Sequence, residues 1–83
     1  MAEPSWVVKG VRAHSDYTLD ISFADGSLRR YDAHRLLEQR GYAALKNLTF
    51  FKQARPMYDT VGWSEDLDIS PEHLYEHGVP LED

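Results

Sequence analysis

The 83-residue chain carries 14 Asp or Glu against 9 Lys or Arg, a formal net charge of −5, and has no cysteine. That length leaves room for one hydrophobic core, hence one domain over residues 1–83, and the lack of thiols excludes disulfides and thiolate metal or nucleophile chemistry and points to a reducing cytoplasm. No apolar run approaches the roughly 20 residues of a membrane span, and the chain does not open on a basic stretch followed by an apolar one, so the sequence predicts a cytoplasmic protein with no membrane partner.

Met1 to Ser5 reads as a frayed start, and Trp6 to Ala13 (WVVKGVRA) is rich in β-formers and predicts a first strand, with Gly10 marking a bulge or a close approach. After the polar turn His14-Ser15-Asp16, the residues Tyr17, Leu19, Ile21 and Phe23 alternate with Thr18, Asp20 and Ser22. One face of that strand is apolar and the other wet, as in a half-covered antiparallel sheet. Asp25-Gly26 supplies a residue tolerant of positive φ for a hairpin turn, and Leu28 to Tyr31 returns as a third strand, which completes a three-stranded meander.

Asp32 is placed to N-cap a helix over Ala33 to Arg40, with Leu36 and Leu37 on its buried side and Gly41 ending it. Tyr42 to Gln53 carries apolar residues at Leu45, Leu48 and Phe51, less regularly at Tyr42 and Phe50, and predicts one or two short helices broken near Asn47 that cover the sheet. Ala54 to Trp63 reads as a second hairpin turning near Asp59-Thr60, with Pro56 confining its first strand to an edge or a start. In Gly62 to Tyr75, Leu67 and Ile69 alternate with Asp66 and Asp68 as a short strand. Ser70 and Pro71 then form a helix start, Ser70 as N-cap and Pro71 at the first helical position. Glu72 complements the helix dipole, but His73 stands where a capping box would place Glu or Gln. The helix runs to His77, Gly78 and Pro80 stop it, and Leu81 to Asp83 forms an acidic tail. The resulting fold class is α+β, a small antiparallel sheet built from the meander plus a second hairpin, covered by short helices and closed by a short C-terminal helix.

Charge is unevenly spread. Residues 29 to 55 carry seven Lys or Arg against Asp32 and Glu38, and Asp59 to Asp83 holds eight acids with no Lys or Arg. The two blocks either face each other or solvate opposite surfaces, and exposed pairs of this kind contribute under about 1 kcal/mol. The alternative is that one of them steers a charged partner.

His73 and His77 have the spacing that puts two imidazoles on one helix face, with Glu76, Glu72 or Asp68 as a third candidate for zinc. The H-E-x-x-H order is missing, which favours surface histidines and no metal. Glu65, Asp66 and Asp68 resemble a calcium loop only in acidity. The same carboxylates could pair as general acid and base, but no pocket or nucleophile goes with them, so the sequence predicts no catalytic residue, no cofactor and a non-enzyme. The structural reading gives Asp68 backbone or side-chain hydrogen bonds that lock the strand-to-helix turn, and gives Trp63 and Trp6 packing roles. Phe50 and Phe51 cannot both enter one core, because neighbours on a helix diverge by about 100°. An exposed aromatic beside Lys52 and Arg55, with Arg29 and Arg30, would suit a protein interface.

The order FADG, RRYD, LLEQRGYAALKN, FFKQA, GW and DLDISPEHLY resembles a bacterial family catalogued as domain of unknown function 2442, from about Val7 to Tyr75. The resemblance implies a small α+β fold and carries no catalytic residue with it. Some members are similar to this chain followed by a helix-turn-helix domain, which implies a regulatory accessory role; the sequence here stops at Asp83. The first functional reading is therefore a non-enzymatic interaction module that binds itself or another bacterial protein through an exposed sheet edge or the aromatic and basic central helices. The second, from a different class, is a nucleic-acid-linked regulator using the basic middle, recognisable by salt-dependent binding. A small metal-assisted enzyme on the last helix is the remote third. Trp63, Asp68, Ser70, Pro71 and Tyr75 are expected to shape the fold-closing turn.

Overall fold

A computed structural model describes residues 4–81. Met1 to Glu3 and Glu82 to Asp83, which make up most of the expected frayed start and acidic tail, lie outside the described residues. The chain is α+β, with two small antiparallel sheets and several short helices.

The alternating strand is the centre of the first sheet. β2 (Thr18–Phe23) pairs on one side with β1 (Val8–Ala13) and on the other with β3 (Leu28–Asp32), and its Leu19, Ile21 and Phe23 are buried while Thr18, Asp20 and Ser22 face outward. The β1 register shifts between Val8 and Gly10, so the glycine does mark a bulge. Tyr17 falls outside the strand that the alternation predicts: its φ of 64° is left-handed, and its ring turns onto Phe51 at 4.7 Å while its hydroxyl donates to the Lys46 carbonyl at 2.7 Å.

The helix expected over Ala33 to Arg40 is a single turn, α1 (His34–Leu37). Asp32 ends β3, and its carboxylate still accepts the His34 N–H at 2.9 Å. One turn is far below the length at which a helix stands by itself, so α1 exists because Leu36 is buried in the core. Gly41 does not terminate it but lies in a separate 3-10 segment, Arg40–Lys46. The break near Asn47 is present. Its side chain accepts the Phe50 N–H and caps α2 (Leu48–Phe51).

The second hairpin joins β4 (Arg55–Met57) to β5 (Thr60–Ser64), and β6 (Leu67–Ile69) completes a three-stranded sheet in the order β4-β5-β6. Its turn sits one residue earlier than the sequence indicates, at Tyr58-Asp59, whose φ angles of 49° and 70° match the doubly left-handed turn that suits hairpin twist. Pro56 lies on the edge strand β4, where the missing N–H does no harm. β5 is buried from Thr60 to Trp63. The buried Thr60 hydroxyl donates to the Ile69 carbonyl, which removes the cost of desolvating it. The Val8 N–H donates to the Asp59 carbonyl at 3.0 Å and so ties the two sheets together.

Ser70 caps α3 (Pro71–His77) by accepting the His73 N–H, Pro71 opens the helix, and Leu74 is fully buried beneath it. Past Gly78 the chain forms a strand that the sequence reading lacks. β7 (Val79–Pro80) pairs with β3, Arg30 opposite Val79 and Arg29 opposite Pro80, and the Leu81 N–H donates to the Leu28 carbonyl at 2.8 Å. The meander is thus a four-stranded sheet, β1-β2-β3-β7.

Tyr75 clasps α3 to the β2–β3 hairpin. Its hydroxyl donates to Asp25 Oδ2 at 2.6 Å, its ring meets Phe23 edge-on at 5.1 Å, and Arg29 lies over that ring at 3.9 Å while donating to the Tyr75 carbonyl at 2.7 Å. Hydrogen bonds from the Ser27 side chain first, then from the Tyr75 hydroxyl and the Ser27 amide, hold the Asp25 carboxyl down to about 2. The folded value lies below the ordinary carboxylate value of about 3.9, so this stabilisation is complete above about pH 4 and is lost as pH falls through about 2. Tyr75→Phe is therefore expected to flatten the loss of melting temperature between about pH 4 and about pH 2. Thermal melts across that range check it, and parallel wild-type and variant curves would contradict it.

Candidate functional site

Two features of the four-stranded sheet stand out: an uncovered face, and a polar cleft where α1 and α3 meet β3. Strand alternation produces the first. Residues that point away from the core line up in register across the strands, giving one row of Arg12, Asp20, Arg30 and Val79, with Ser22 beside Leu28 in the next row. Arg30 forks onto Asp20 at 2.7 and 3.1 Å, and His14 Nε2 approaches the same carboxylate at 2.7 Å. Arg30 foremost, and His14 with it, lowers the Asp20 carboxyl below its usual range. The row is thus held by an internal ion pair.

Beside it lies an apolar margin. Leu28 is 42% exposed and Val79 is 65% exposed. Val79 and Leu81 alternate with Pro80 along the chain, so they share the outer face with Arg30 and Leu28, and Leu81 is hydrogen-bonded through its amide to Leu28. A shallow cavity of about 510 Å³ is bounded here by Asp16, Thr18, Arg30, Asp32, His34, His77, Val79 and Leu81.

The cleft is built around Tyr31, which β3 turns inward. Its hydroxyl is hydrogen-bonded to His73 Nε2 at 2.8 Å, and the two rings meet edge to face at 5.4 Å. His77, one turn along α3, lies against His73 with ring centroids 4.4 Å apart. Burial raises the Tyr31 hydroxyl above its ordinary value, and neighbouring Arg35 pulls the other way. Burial first, then the charges of His77 and Arg35, keep the His73 imidazole below its ordinary value, with Glu76 opposing. Tyr31, Asp32, Arg35 and His77 line a cavity of about 320 Å³.

The residues singled out by sequence are scattered by the fold. Phe51 is fully buried, which removes it from any surface, and Phe50 is half-buried. The fully exposed aromatic is Tyr58, 82% exposed in the β4–β5 turn. Lys52 and Arg55 are exposed, Lys52 Nζ lying 3.5 Å from Ser15 Oγ and Arg55 donating to the Gln53 carbonyl at 3.4 Å. Arg29 and Arg30 belong to β3 and are tied to Tyr75 and Asp20, so the six residues form no single patch. Trp63 is 2% exposed and donates its indole N–H to the Phe51 carbonyl at 2.8 Å; Trp6 is half-buried. His73 and His77 do share a face, but among the described residues no three His, Cys, Asp or Glu are grouped so as to hold a metal.

Asp68 departs from the role expected of its side chain. The Tyr42 hydroxyl donates at 2.9 Å to the Asp68 carbonyl, and the carboxylate is exposed. The turn lock is a backbone contact that any residue at 68 could offer. Asp68→Ala is therefore expected to leave the melting temperature within a degree or so, while Tyr42→Phe lowers stability by about 1 kcal/mol. Paired thermal melts distinguish the two, and a loss in Asp68→Ala as large as that in Tyr42→Phe would refute the backbone assignment.

Asp20 and Arg30 each stand five residues from Asp25, on which the β2–β3 register is centred, so a hairpin turning there brings them opposite each other. Between Tyr31 and His73 lie 42 residues, and no local pattern joins them. Compared with known protein families, residues 8–80 match the sequence model described as Protein of unknown function (DUF2442). No curated protein and no solved structure matches.

Proposed function

The chain belongs to the DUF2442 family of proteins of unknown function, and from that premise we propose that it is a non-enzymatic, cytoplasmic interaction module with a regulatory accessory role. It docks a second copy of itself or another bacterial protein on the uncovered face of the four-stranded sheet. The observation that carries this reading is the apolar margin of Leu28, Val79 and Leu81 on the outer side of β3 and β7. Isolated exposed apolar residues are ordinary, but neighbours on one sheet face next to a terminal strand combine apolar contact with free backbone groups. β7 ends the strand order, so its far side is unpaired among the described residues and is open to strand addition. The Asp20–Arg30 pair neutralises two of the charges in the adjoining row.

The test is light scattering behind size exclusion over a range of concentrations, with Val79→Lys as the variant. Because Val79 is 65% exposed, the substitution spares the core. Self-association is expected to appear as a mass that rises with concentration in the wild type and stays monomeric in the variant. A strictly monomeric wild type removes the self-association half. The partner half then stands on a crosslinkable residue at position 79 capturing a defined protein in the cell, and fails if capture is the same from position 66 on the opposite sheet.

A further inference from the structure

The Tyr31 cleft brings two charge-capable donors to one small cavity, the Arg35 guanidinium and the His77 imidazole, over a Tyr31 hydroxyl that is shared with His73. We propose that this cleft binds the phosphate group of a small phosphorylated ligand. A guanidinium can fork onto two oxygens and an imidazole can reach a third, which suits the three terminal oxygens and the nearly double negative charge of a phosphate monoester better than the single charge of a carboxylate. Arg35 is on the exposed side of α1 and Tyr31 is on the floor, held in place by its bond to His73. His73 in turn backs His77 ring to ring.

Asp32 is the one carboxylate lining the cavity, and its Oδ1 is engaged elsewhere. His34 takes it with both its backbone N–H at 2.9 Å and its Nδ1 at 2.6 Å. From α3, Glu76 is the acid whose charge reaches His73, and from α1 Arg35 adds positive charge. Burial first, then His77 and Arg35, disfavour a proton on His73, and an anion beside those two groups would offset the charge part of that effect. An anion held there favours the protonated form of His73, so binding weakens as pH rises through the histidine range.

The test is a titration of the full chain, followed through the ring resonances of His73 and His77 by NMR. The probes are inorganic phosphate, a sugar phosphate, and sulfate, which stays dianionic while phosphate titrates near pH 6. Saturable shifts of both rings are expected at about pH 6. Arg35→Gln should weaken binding by about tenfold or more, whereas Arg40→Gln, at an exposed arginine not lining the cavity, should not. Sulfate affinity should fall between about pH 5.5 and about pH 8. Binding in either phosphate arm supports the cleft, and the tighter arm identifies an esterified or a free phosphate. Linear, non-saturating shifts, or unchanged affinity in a folded Arg35→Gln variant, overturn the proposal. Neither outcome bears on the sheet-face reading, which is decided by mass and crosslinking.

Discussion

Trp63→Ala is expected to lower the melting temperature by about 15 °C or more, and to bring the domain close to unfolding at room temperature. Trp63 in β5 is 2% exposed, stacks on Phe51 with centroids 6.1 Å apart, and donates its indole N–H to the Phe51 carbonyl at 2.8 Å. Removing a buried indole of this kind costs about 3–5 kcal/mol through lost burial and the cavity left behind, and it also leaves a buried carbonyl without its donor. A chain of 83 residues has a total stability of about 4–12 kcal/mol by per-residue scaling, so the loss takes a large share of it. Trp63→Phe keeps most of the ring volume and removes the donor, and should cost about 1–3 kcal/mol. Urea titrations of both variants by circular dichroism check the order, and a Trp63→Ala melt within about 5 °C of wild type would contradict the packing role.

The second large effect is expected at Gly78, for a reason of space. Its φ of −72° and ψ of 140° are open to any residue, so backbone freedom does not explain the glycine. A Cβ there would stand 2.7 Å from the Leu74 carbonyl oxygen and 3.0 Å from Arg29 Cβ. The same Leu74 carbonyl accepts the Gly78 N–H at 2.9 Å and closes α3. A backbone oxygen cannot swing aside, so Gly78→Ala must shift either the end of α3 or the approach of β7 to β3, at about 1–3 kcal/mol. Gly62→Ala is the informative comparison. Its added carbon would press on the Met57 sulfur at 2.8 Å, the pliable end of an unbranched side chain, and a smaller loss is expected. Thermal melts of the pair should place Gly78→Ala well below Gly62→Ala, and hydrogen exchange at Leu81 should report release of β7 from Leu28. Equal melts would show that the clash at Gly78 is absorbed without cost. Because β7 carries Val79 and precedes Leu81, Gly78→Ala should also weaken any association through the sheet face.

Sequence and structure agree where the signal is local. The β2 alternation, the Asp25-Gly26 turn, the break near Asn47 and the start of α3 at Ser70-Pro71 all stand where the residues place them, because each follows from the geometry of a few neighbours. Disagreement begins where packing decides. The helix expected from Ala33 to Arg40 is broken into a turn of α-helix and a 3-10 segment, since a weak helical preference yields to whatever lets Leu36 and Leu45 reach the core. Gly78 to Pro80 reads as punctuation in the chain and acts as a helix stop, yet the same residues return as an edge strand. Two residues show no alternation, so no pattern could announce that pairing.

The candidate sites divide in the same way. Composition excluded thiol chemistry, and strand periodicity determined which side chains of β2 meet water. The grouping of the basic and aromatic residues into one surface did not follow, because Phe51 went to the core while Arg29 and Arg30 found partners on Tyr75 and Asp20. Only tertiary structure could bring Tyr31 and Arg35 to His73 and His77, or align Leu28 with Val79 and Leu81. Local geometry is written into spacing, which a chain carries with it, whereas these meetings depend on loop closure over some 40 to 50 residues, which is settled by the whole core at once.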